Sequence, residues 1–275
     1  MSAPDLAKTF NAAGADFERV TPLVWGPAAQ VLVHQLAVQP GDHVLDVCAG
    51  TGASALAAAL AAGPSGGVRA LDLARELLAV GQGIAETRGL RNVVFEEADV
   101  TSWQPSRAAY DALACSYGVF FLPDMDEQVE RLLGFLRPDG RAGFTVWLHG
   151  ALEDYAVAFG DALKHVTGAE GPARRPVWED NIVRINQRES LTAWLHERGL
   201  VDVSVTVLSS HIPVTETFAW DFVRGSGMRG ALLALQPEVV TAVREEFLAM
   251  LGRRGITMVD ASTLVATGRR PSCRG

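Results

Sequence analysis

Hydrophobic positions between residues 43 and 147 come in short runs that alternate with longer stretches of helical character. The apolar runs, each of strand length, read "HVLDV", "VRALDL", "VVFEEA", "YDALACS" and "RAGFTVW". Two of the stretches between them end at helix-stop signals: "ASALAAALAA" ends at Gly63-Pro64, and the segment from Arg75 to Arg88 ends at Gly89. Strands that alternate with helices in this way predict a parallel sheet with helices on both faces.

The pattern becomes less regular after Trp147. Residues 148–190 have mostly helical character, "VDVSVTVLSS" alternates as a strand does, a helix begins at Pro237, and "MVDASTLVATG" predicts one more strand. No internal repeat or long linker divides the chain. We therefore expect one α/β domain over residues 1–275, with a core at about 41–147 and helical cap segments at about 1–35, 148–190 and 212–255.

Composition narrows the class of ligand. The 24 basic and 32 acidic residues give a formal net charge of −8, which opposes binding to nucleic acid. No apolar run is long enough to span a membrane and the first residues do not resemble a secretion signal, so we expect a cytoplasmic protein without a membrane partner. Cys48, Cys115 and Cys273 show no metal-ligand spacing, so no metal is expected. A small molecule is the expected ligand.

The segment "VLDVCAGTGASA", residues 44–55, connects the first strand of this core to a helix through two glycines. Gly50 and Gly52 allow a sharp turn and a close backbone approach to a ligand, and the helix that follows points its free N–H groups at the same place. Asp72 lies at the end of the next strand, twenty residues past Gly52, where a carboxylate binds both hydroxyls of a ribose. Asp99 ends the third strand, where a carboxylate accepts the exocyclic amine of adenine. These positions predict a ribose-containing cofactor.

The loop by itself leaves two classes of cofactor open. "GTGASA" also satisfies G-x-G-x-x-A, the fingerprint of nicotinamide and flavin enzymes. Asp46, four residues before Gly50, favours a cofactor with an ammonium or sulfonium group over one with a pyrophosphate. None of the three tyrosines is followed by a lysine four residues later, so the Tyr-x-x-x-Lys motif of short-chain dehydrogenases is missing. An NAD(P)-dependent oxidoreductase is therefore the less favoured alternative.

Taken in order, "VLDVCAGTG", "VRALDLARELL", "FEEADV", "YDALACSYGVFFLPD" and "LLGFLRPDGRAGFTVW" resemble the class I S-adenosylmethionine-dependent methyltransferases. The resemblance covers residues 41–147 and is strongest to the small-molecule branch similar to the ubiquinone and menaquinone biosynthesis type. It implies a Rossmann-like, seven-stranded, mostly parallel sheet whose last strand is antiparallel, with 201–209 and 258–267 as the final pair. It also implies methyl transfer to a small, partly hydrophobic acceptor, such as a secondary metabolite or a quinone-like compound, at oxygen, nitrogen or carbon.

The resemblance further assigns roles to residues near S-adenosyl-L-methionine and its product S-adenosyl-L-homocysteine. It places Gly50 and Gly52 in the cofactor loop and Asp46 beneath the methionine end. Asp72, with Leu73 beside it, is placed at the ribose diol, Asp99 at the adenine amine and Val100 on the adenine face. Ser116 is placed at the methionine moiety through its backbone. The family usually has glycine where this chain has Cys48. We expect that turn to adopt a negative φ to accommodate the Cβ.

The candidate catalytic residues follow the predicted strands on the side where an acceptor would lie. They are His149, Tyr117 and His211, although methyl transfer needs alignment more than it needs a general base. Side chains of the cap segments are expected to cover the acceptor, together with the segment "VTPLVWGP" at 20–27; these are Trp178, Arg184, Phe218, Trp220, Phe222 and Met228. A homodimer is the default for such enzymes. A protein of this fold that binds the cofactor structurally and catalyses another reaction is the second alternative.

Overall fold

The computed structural model describes residues 3–105, 109–168 and 176–272. Within these ranges the strands are β1 His43–Val47, β2 Gly67–Asp72, β3 Val93–Glu97, β4 Tyr110–Ser116, β5 Leu136–Trp147, β6 Val201–Leu208, β7 His211–Pro213, β8 Met258–Asp260 and β9 Thr263–Arg269. The helices are α1 Ala3–Val20, α2 Trp25–Gln35, α3 Ala53–Ala62, α4 Arg75–Thr87, α5 Met125–Leu133, α6 Glu153–Thr167, α7 Val177–Ile185, α8 Arg188–Glu197, α9 Glu216–Arg224 and α10 Pro237–Arg253. Single 3₁₀ turns occupy Val119–Phe121 and Gly227–Leu232.

Seven strands form one sheet in the order β3-β2-β1-β4-β5-β9-β6. The first five of these run parallel, and β9 pairs antiparallel with both β5 and β6. The predicted fold class, a Rossmann-like sheet that is mostly parallel with an antiparallel last strand, is confirmed. The carboxyl ends of five parallel strands therefore meet at one edge, with the reversal of strand order between β1 and β4.

Successive residues of the strands pack on opposite sides of the sheet, as the pleat requires. On one side Val44 and Ala112 pack with α2 and α3, where Leu32 and several alanines are fully buried. On the other side Leu45 and Phe144 belong to a larger apolar cluster that includes α5, α6, α8, α9 and α10. Both faces of the sheet are covered by helices, which explains why the strands read as nearly continuous apolar runs.

The segment predicted as one strand, "MVDASTLVATG", is divided between two sheets. β8 pairs with β7 in a separate two-stranded sheet, whereas β9 enters the main sheet. The division falls at Ala261 and Ser262, where the carboxylate of Asp260 accepts a hydrogen bond from the Ser262 backbone N–H at 2.8 Å. An aspartate that binds the backbone two residues later favours a turn over a continuous strand.

Helices outside the core lie against the carboxyl-end edge of the sheet. α10 packs on α6 through the edge-to-face rings of Phe247 and Tyr155, 5.1 Å apart. α1 is kinked at Gly14 and packs against α4 and α9. Residues 169–175, within the second predicted cap segment, lie outside the described residues. Among the helices of the described ranges, none has the combination of length and apolar character needed to cross a bilayer.

Candidate active site

A cavity of about 760 Å³ lies at the carboxyl ends of the parallel strands. Residues that follow β1, β2, β3, β4 and β5 line it, so it includes the point where the strand order reverses. Ligands of open α/β sheets bind at this point, and small-molecule sites typically measure about 300–1,000 Å³. A second groove, of about 880 Å³, runs along α2 and α3 and contains none of the predicted site residues. The first cavity is therefore the candidate active site.

The loop after β1 adopts left-handed backbone conformations at Cys48, Gly50 and Gly52, with φ of 56°, 56° and 81°. The prediction of a negative φ at Cys48 is wrong. The structure accommodates the Cys48 side chain because Gly118 lies beside it, where an added Cβ would be 2.2 Å from the Cys48 Cβ. Gly50 lines the cavity. Gly52 does not; it precedes α3 and packs under Phe95, whose ring would lie 2.6 Å from an added Cβ.

The carboxylate of Asp72 connects the glycine loop to the end of β2. One of its oxygens accepts a hydrogen bond from the Gly50 N–H and the other from the Ala74 N–H, both at 2.8 Å. Burial raises the pKa of Asp72, and these backbone hydrogen bonds oppose the increase. Asp72 and Leu73 both line the cavity. The same carboxylate therefore fixes the loop and forms part of the site.

Asp46 does not itself line the cavity, although its hydrogen-bond partner Ser54 does. It is fully buried, and both of its oxygens accept hydrogen bonds from the Ser54 hydroxyl, at 3.0 and 2.8 Å. Burial raises the pKa of Asp46 to about 7, although hydrogen bonds from the Ser54 side chain and the Ala55 backbone oppose the rise. Asp46 thus acts on the first turn of α3, one layer below the site.

Asp99 and Val100 line the cavity after β3, as predicted for the adenine end. Asp99 accepts hydrogen bonds from the backbone N–H and the hydroxyl of Thr101, at 2.9 and 2.7 Å. The guanidinium of Arg131 donates to the carbonyls of Val100 and Trp103 and so connects this turn to α5. Thr101 and Arg131 thus fix the turn after β3, and the Asp99 carboxylate can still accept further hydrogen bonds.

Ser116 and Tyr117 line the cavity after β4. The Ser116 hydroxyl lies 2.9 Å from that of Thr145, and the Tyr117 hydroxyl lies 2.5 Å from that of Thr263 in β9. The Tyr117 ring packs on Trp147 with centroids 4.5 Å apart. Burial raises the pKa of Tyr117 well above its usual range. A phenol in this state does not serve as a base at neutral pH.

The two predicted catalytic histidines do not line the cavity. His149 is exposed, and its backbone N–H donates to the Asn186 carbonyl at 2.8 Å while its neighbours Leu148 and Gly150 face the site. His211 is exposed in β7, outside the main sheet. The structure therefore does not bring either imidazole to the cavity, because position after a strand does not fix the direction of the side chain in the turn that follows.

Aromatic side chains make up a large part of the lining, and we call the part formed around Trp25, Tyr117, Trp147 and Phe222 the aromatic end of the cavity. Trp25 is central: its ring stacks on Phe17 at 5.3 Å and lies 5.1 Å from Tyr117 and 5.9 Å from Phe222. Within the part of the chain that the structure describes, three buried polar atoms of lining residues have no hydrogen-bond partner; they are Trp25 Nε1, Trp178 Nε1 and Asn186 Oδ1. A buried donor or acceptor without a partner lowers the free energy of unfolding by about 1–3 kcal/mol. These atoms therefore indicate a ligand that supplies the missing hydrogen bonds.

Sequence reasoning anticipated part of this aromatic end. Trp178, Phe222 and Met228 of the predicted cap residues line the cavity, whereas Arg184, Phe218 and Trp220 do not. Arg184 pairs instead with Asp126 at 2.8 Å. Phe10 and Phe17 of α1 also line the cavity and were missed. Their spacing of seven residues, two turns of a regular helix, was the available signal, although the kink at Gly14 lies between them.

Ion pairs hold α1 against the third cap segment. Asp16 is buried and pairs with Arg224 and Arg229, each at 2.8 Å, and with Arg19. Arg19 also donates to Asp221. These contacts fix the helix that carries Phe17 beside the site.

The cavity carries no basic side chain among its described lining residues. The described residues also contain no group of three or more His, Cys, Asp or Glu side chains arranged to hold a metal ion. The chemistry available at the aromatic end is therefore hydrogen bonding and apolar packing.

Comparison with known proteins agrees with this architecture. A family model described as a methyltransferase domain matches residues 44–140. Nocamycin O-methyltransferase from Saccharothrix syringae is 31% identical, over 71% of this chain and 80% of that enzyme. Demethylmenaquinone methyltransferase from Lactobacillus johnsonii is 29% identical over 40% of this chain, and the match spans less than half of that enzyme, 45%. Phosphoethanolamine N-methyltransferase 2 from Haemonchus contortus, solved with S-adenosylhomocysteine, shares the fold with a TM-score of 0.60 at 15% identity, over 99% of this chain and 61% of that one.

The chain belongs to the class I S-adenosylmethionine-dependent methyltransferases, in the small-molecule group. It is a methyltransferase that uses S-adenosyl-L-methionine, which resolves the choice of cofactor that the glycine loop left open. The cavity fits this group, because the glycine loop at Gly50, the acids Asp72 and Asp99 and the unpaired polar atoms all belong to its lining. No finding supports the oxidoreductase alternative or a purely structural use of the cofactor.

Proposed function

We propose that this methyltransferase transfers a methyl group to an oxygen atom of a flat, largely apolar small molecule. The observation that carries the proposal is the shared cavity, whose lining combines the acids after β2 and β3 with the aromatic residues around Trp25. The name of its relative, nocamycin O-methyltransferase, supports oxygen as the methylated atom and a secondary metabolite as the acceptor. S-adenosyl-L-methionine supplies an activated methyl group on its sulfonium when it is bound.

The proposed cofactor contacts use the residues at the strand ends. Asp72 would accept hydrogen bonds from the ribose hydroxyls with Leu73 beside it, and Asp99 would accept one from the adenine amine with Val100 against the ring. Gly50 would allow close approach of the loop backbone, and Ser116 would meet the methionine moiety. Gly52 and Asp46 would act indirectly, through the start of α3.

The aromatic end would bind the acceptor by packing and by exclusion of water. The ring centroids of Trp147 and Trp25 lie 5.8 Å apart and those of Phe222 and Trp147 lie 6.5 Å apart, so these rings pack on one another and form a continuous aromatic wall. Because aromatic rings pack favourably at centroid separations of about 4.5–7 Å, such a wall suits a planar guest that lies against it. Alignment of an acceptor oxygen by this packing is the main contribution of the chain to the reaction.

The test is methylation of a panel of hydroxylated naphthalenes, anthraquinones and naphthoquinones with methyl-labelled S-adenosyl-L-methionine, read by product mass. We expect addition of one methyl group at oxygen, and at least about a tenfold loss of S-adenosylhomocysteine affinity in Asp72→Ala by calorimetry. Asp111→Ala is the matched control, because Asp111 lies at the opposite end of β4 and binds the His43 backbone N–H at 2.7 Å. Products methylated only at carbon, or no methylation of any member of the panel by a protein that binds S-adenosylhomocysteine, would refute the proposal.

We propose further that the protein acts in the cytoplasm on small molecules and not on nucleic acid. The formal charge of −8 and the cavity without basic side chains among its described lining residues support this preference. The thiols of Cys48 and Cys115 are free, which suits a reducing compartment; Cys273 lies outside the described residues. A single domain over 1–275 and a homodimer stay predictions, and size-exclusion chromatography with light scattering tests the second.

A further inference from the structure

Among the described residues at the aromatic end of the cavity, neither Tyr117 nor Cys48 is placed to remove a proton from a bound acceptor. Tyr117 is buried, and its hydroxyl is paired with that of Thr263. The Cys48 thiol hydrogen-bonds to Cys115, and burial with that hydrogen bond raises the pKa of Cys48. Neither group accepts a proton at neutral pH.

The carboxylates among the described lining residues lie elsewhere. Asp72 and Asp99 are at the cofactor end and already accept backbone hydrogen bonds. Asp124 and Glu153 are exposed at the rim. Glu179, in the first turn of α7, is half-buried and is the one carboxylate that a base-dependent mechanism would have to use.

A hydrogen-bond donor is available where a base is missing. Trp25 Nε1 is buried and has no hydrogen-bond partner among the described residues, in a residue that is 8% exposed. The aromatic neighbours of its ring are Phe17, Tyr117, Trp147 and Phe222. An N–H group in an apolar, water-poor environment stabilises an anionic oxygen more strongly than it does a neutral hydroxyl.

We infer that the acceptor is an acidic hydroxyl on a flat unsaturated ring system, that it is bound as its anion, and that the Trp25 indole N–H donates to the ionised oxygen. This inference rests on the proposed function and specifies its substrate class. The proton leaves to solvent before binding. In the transfer the acceptor oxygen forms a bond to the methyl carbon as the carbon–sulfur bond breaks; the sulfur keeps the electron pair, and both charges are neutralised.

The experiment uses 4-nitro-1-naphthol as a probe, because the absorption of its anion is distinct from that of the neutral form. The probe is titrated with pH while bound to the protein saturated with S-adenosylhomocysteine, so that no turnover occurs. We expect the pKa of the bound probe to lie about one pH unit below that of the free probe, a tenfold preference for the anion. Trp25→Phe should abolish this preference. Trp147→Phe, the matched control in the same cavity, should weaken binding of both forms equally.

Several outcomes would overturn the inference. The first is a bound probe that is neutral, and the second is a probe that does not bind to a protein that does bind S-adenosylhomocysteine. The third is a Trp25→Phe protein that loses affinity for S-adenosylhomocysteine and leaves the spectrum of the bound probe unchanged. A large rate loss in Glu179→Gln with 1-naphthol as acceptor would assign a base instead. The proposed function fails in a different way. If S-adenosylhomocysteine binds by calorimetry and the bound probe is ionised but no methyl group is transferred, then the proposed function is refuted and the preference for the anion is not.

Discussion

The buried carboxyl group of Asp46 makes the stability of this protein depend on pH in an unusual direction. Its pKa is about 7 in the folded chain and 3.8 without the fold, so between these values the folded state holds a proton that the unfolded state has released. The free energy of unfolding therefore falls as pH rises through this window and becomes constant above the folded pKa. This is the reverse of the usual salt-bridged aspartate.

The size of the effect follows from the width of the window. Between about pH 5 and about pH 8, the Asp46 contribution to the free energy of unfolding changes only over the two pH units below the folded pKa. One pH unit corresponds to about 1.4 kcal/mol, so the free energy of unfolding falls by about 3 kcal/mol over this range. Asp46→Asn keeps an acceptor for the Ser54 hydroxyl and does not titrate. Urea unfolding of both proteins at the two pH values measures the difference, and any constant cost of the asparagine cancels. An equal pH dependence in the two proteins would refute the assigned pKa.

Three further predictions concern contacts around the site. Gly118→Ala should lower the free energy of unfolding by about 1–3 kcal/mol through its clash with the Cys48 Cβ, and Cys48→Gly in the same protein should restore most of it, as thermal denaturation will show. Asp16→Ala should cost about 1–3 kcal/mol in urea unfolding, because Arg229, whose side chain is 19% exposed, loses its buried partner, whereas solvent screens the more exposed Arg19 and Arg224; a loss below about 0.5 kcal/mol would contradict this. His149→Ala and His211→Ala should keep methyl transfer rates within about twofold, since both side chains lie off the cavity; a hundredfold loss in initial-rate assays would restore them as candidates.

The sheet was predictable because its signals are local and repeated. Strand-length apolar runs, the helix stops at Gly63 and Gly89, and the alternation of "VDVSVTVLSS" each depend on neighbouring residues alone. The division of the last predicted strand was not predictable in the same way. It depends on the Asp260 carboxylate and on the pairing of β8 with β7, a partner about fifty residues away.

The candidate site was predictable in its cofactor half and only partly in its acceptor half. Asp72 and Asp99 lie where the ends of parallel strands meet, which follows from topology. The direction of His149 and the burial of Asp46 depend on how turns and helices pack, and spacing does not encode that. The left-handed Cys48 depends on Gly118, seventy residues later, which no local rule links to it.

The hydrogen bond between Tyr117 and Thr263 has a consequence for how the protein acquires activity. It joins a wall of the cavity to β9, the last strand of the sheet, while α1 at the other end of the chain supplies Phe17. During synthesis on the ribosome, a chain that already contains the whole glycine loop still lacks a complete acceptor site. Competence to bind the acceptor should therefore emerge in one late step, after β9 has left the exit tunnel and inserted between β5 and β6.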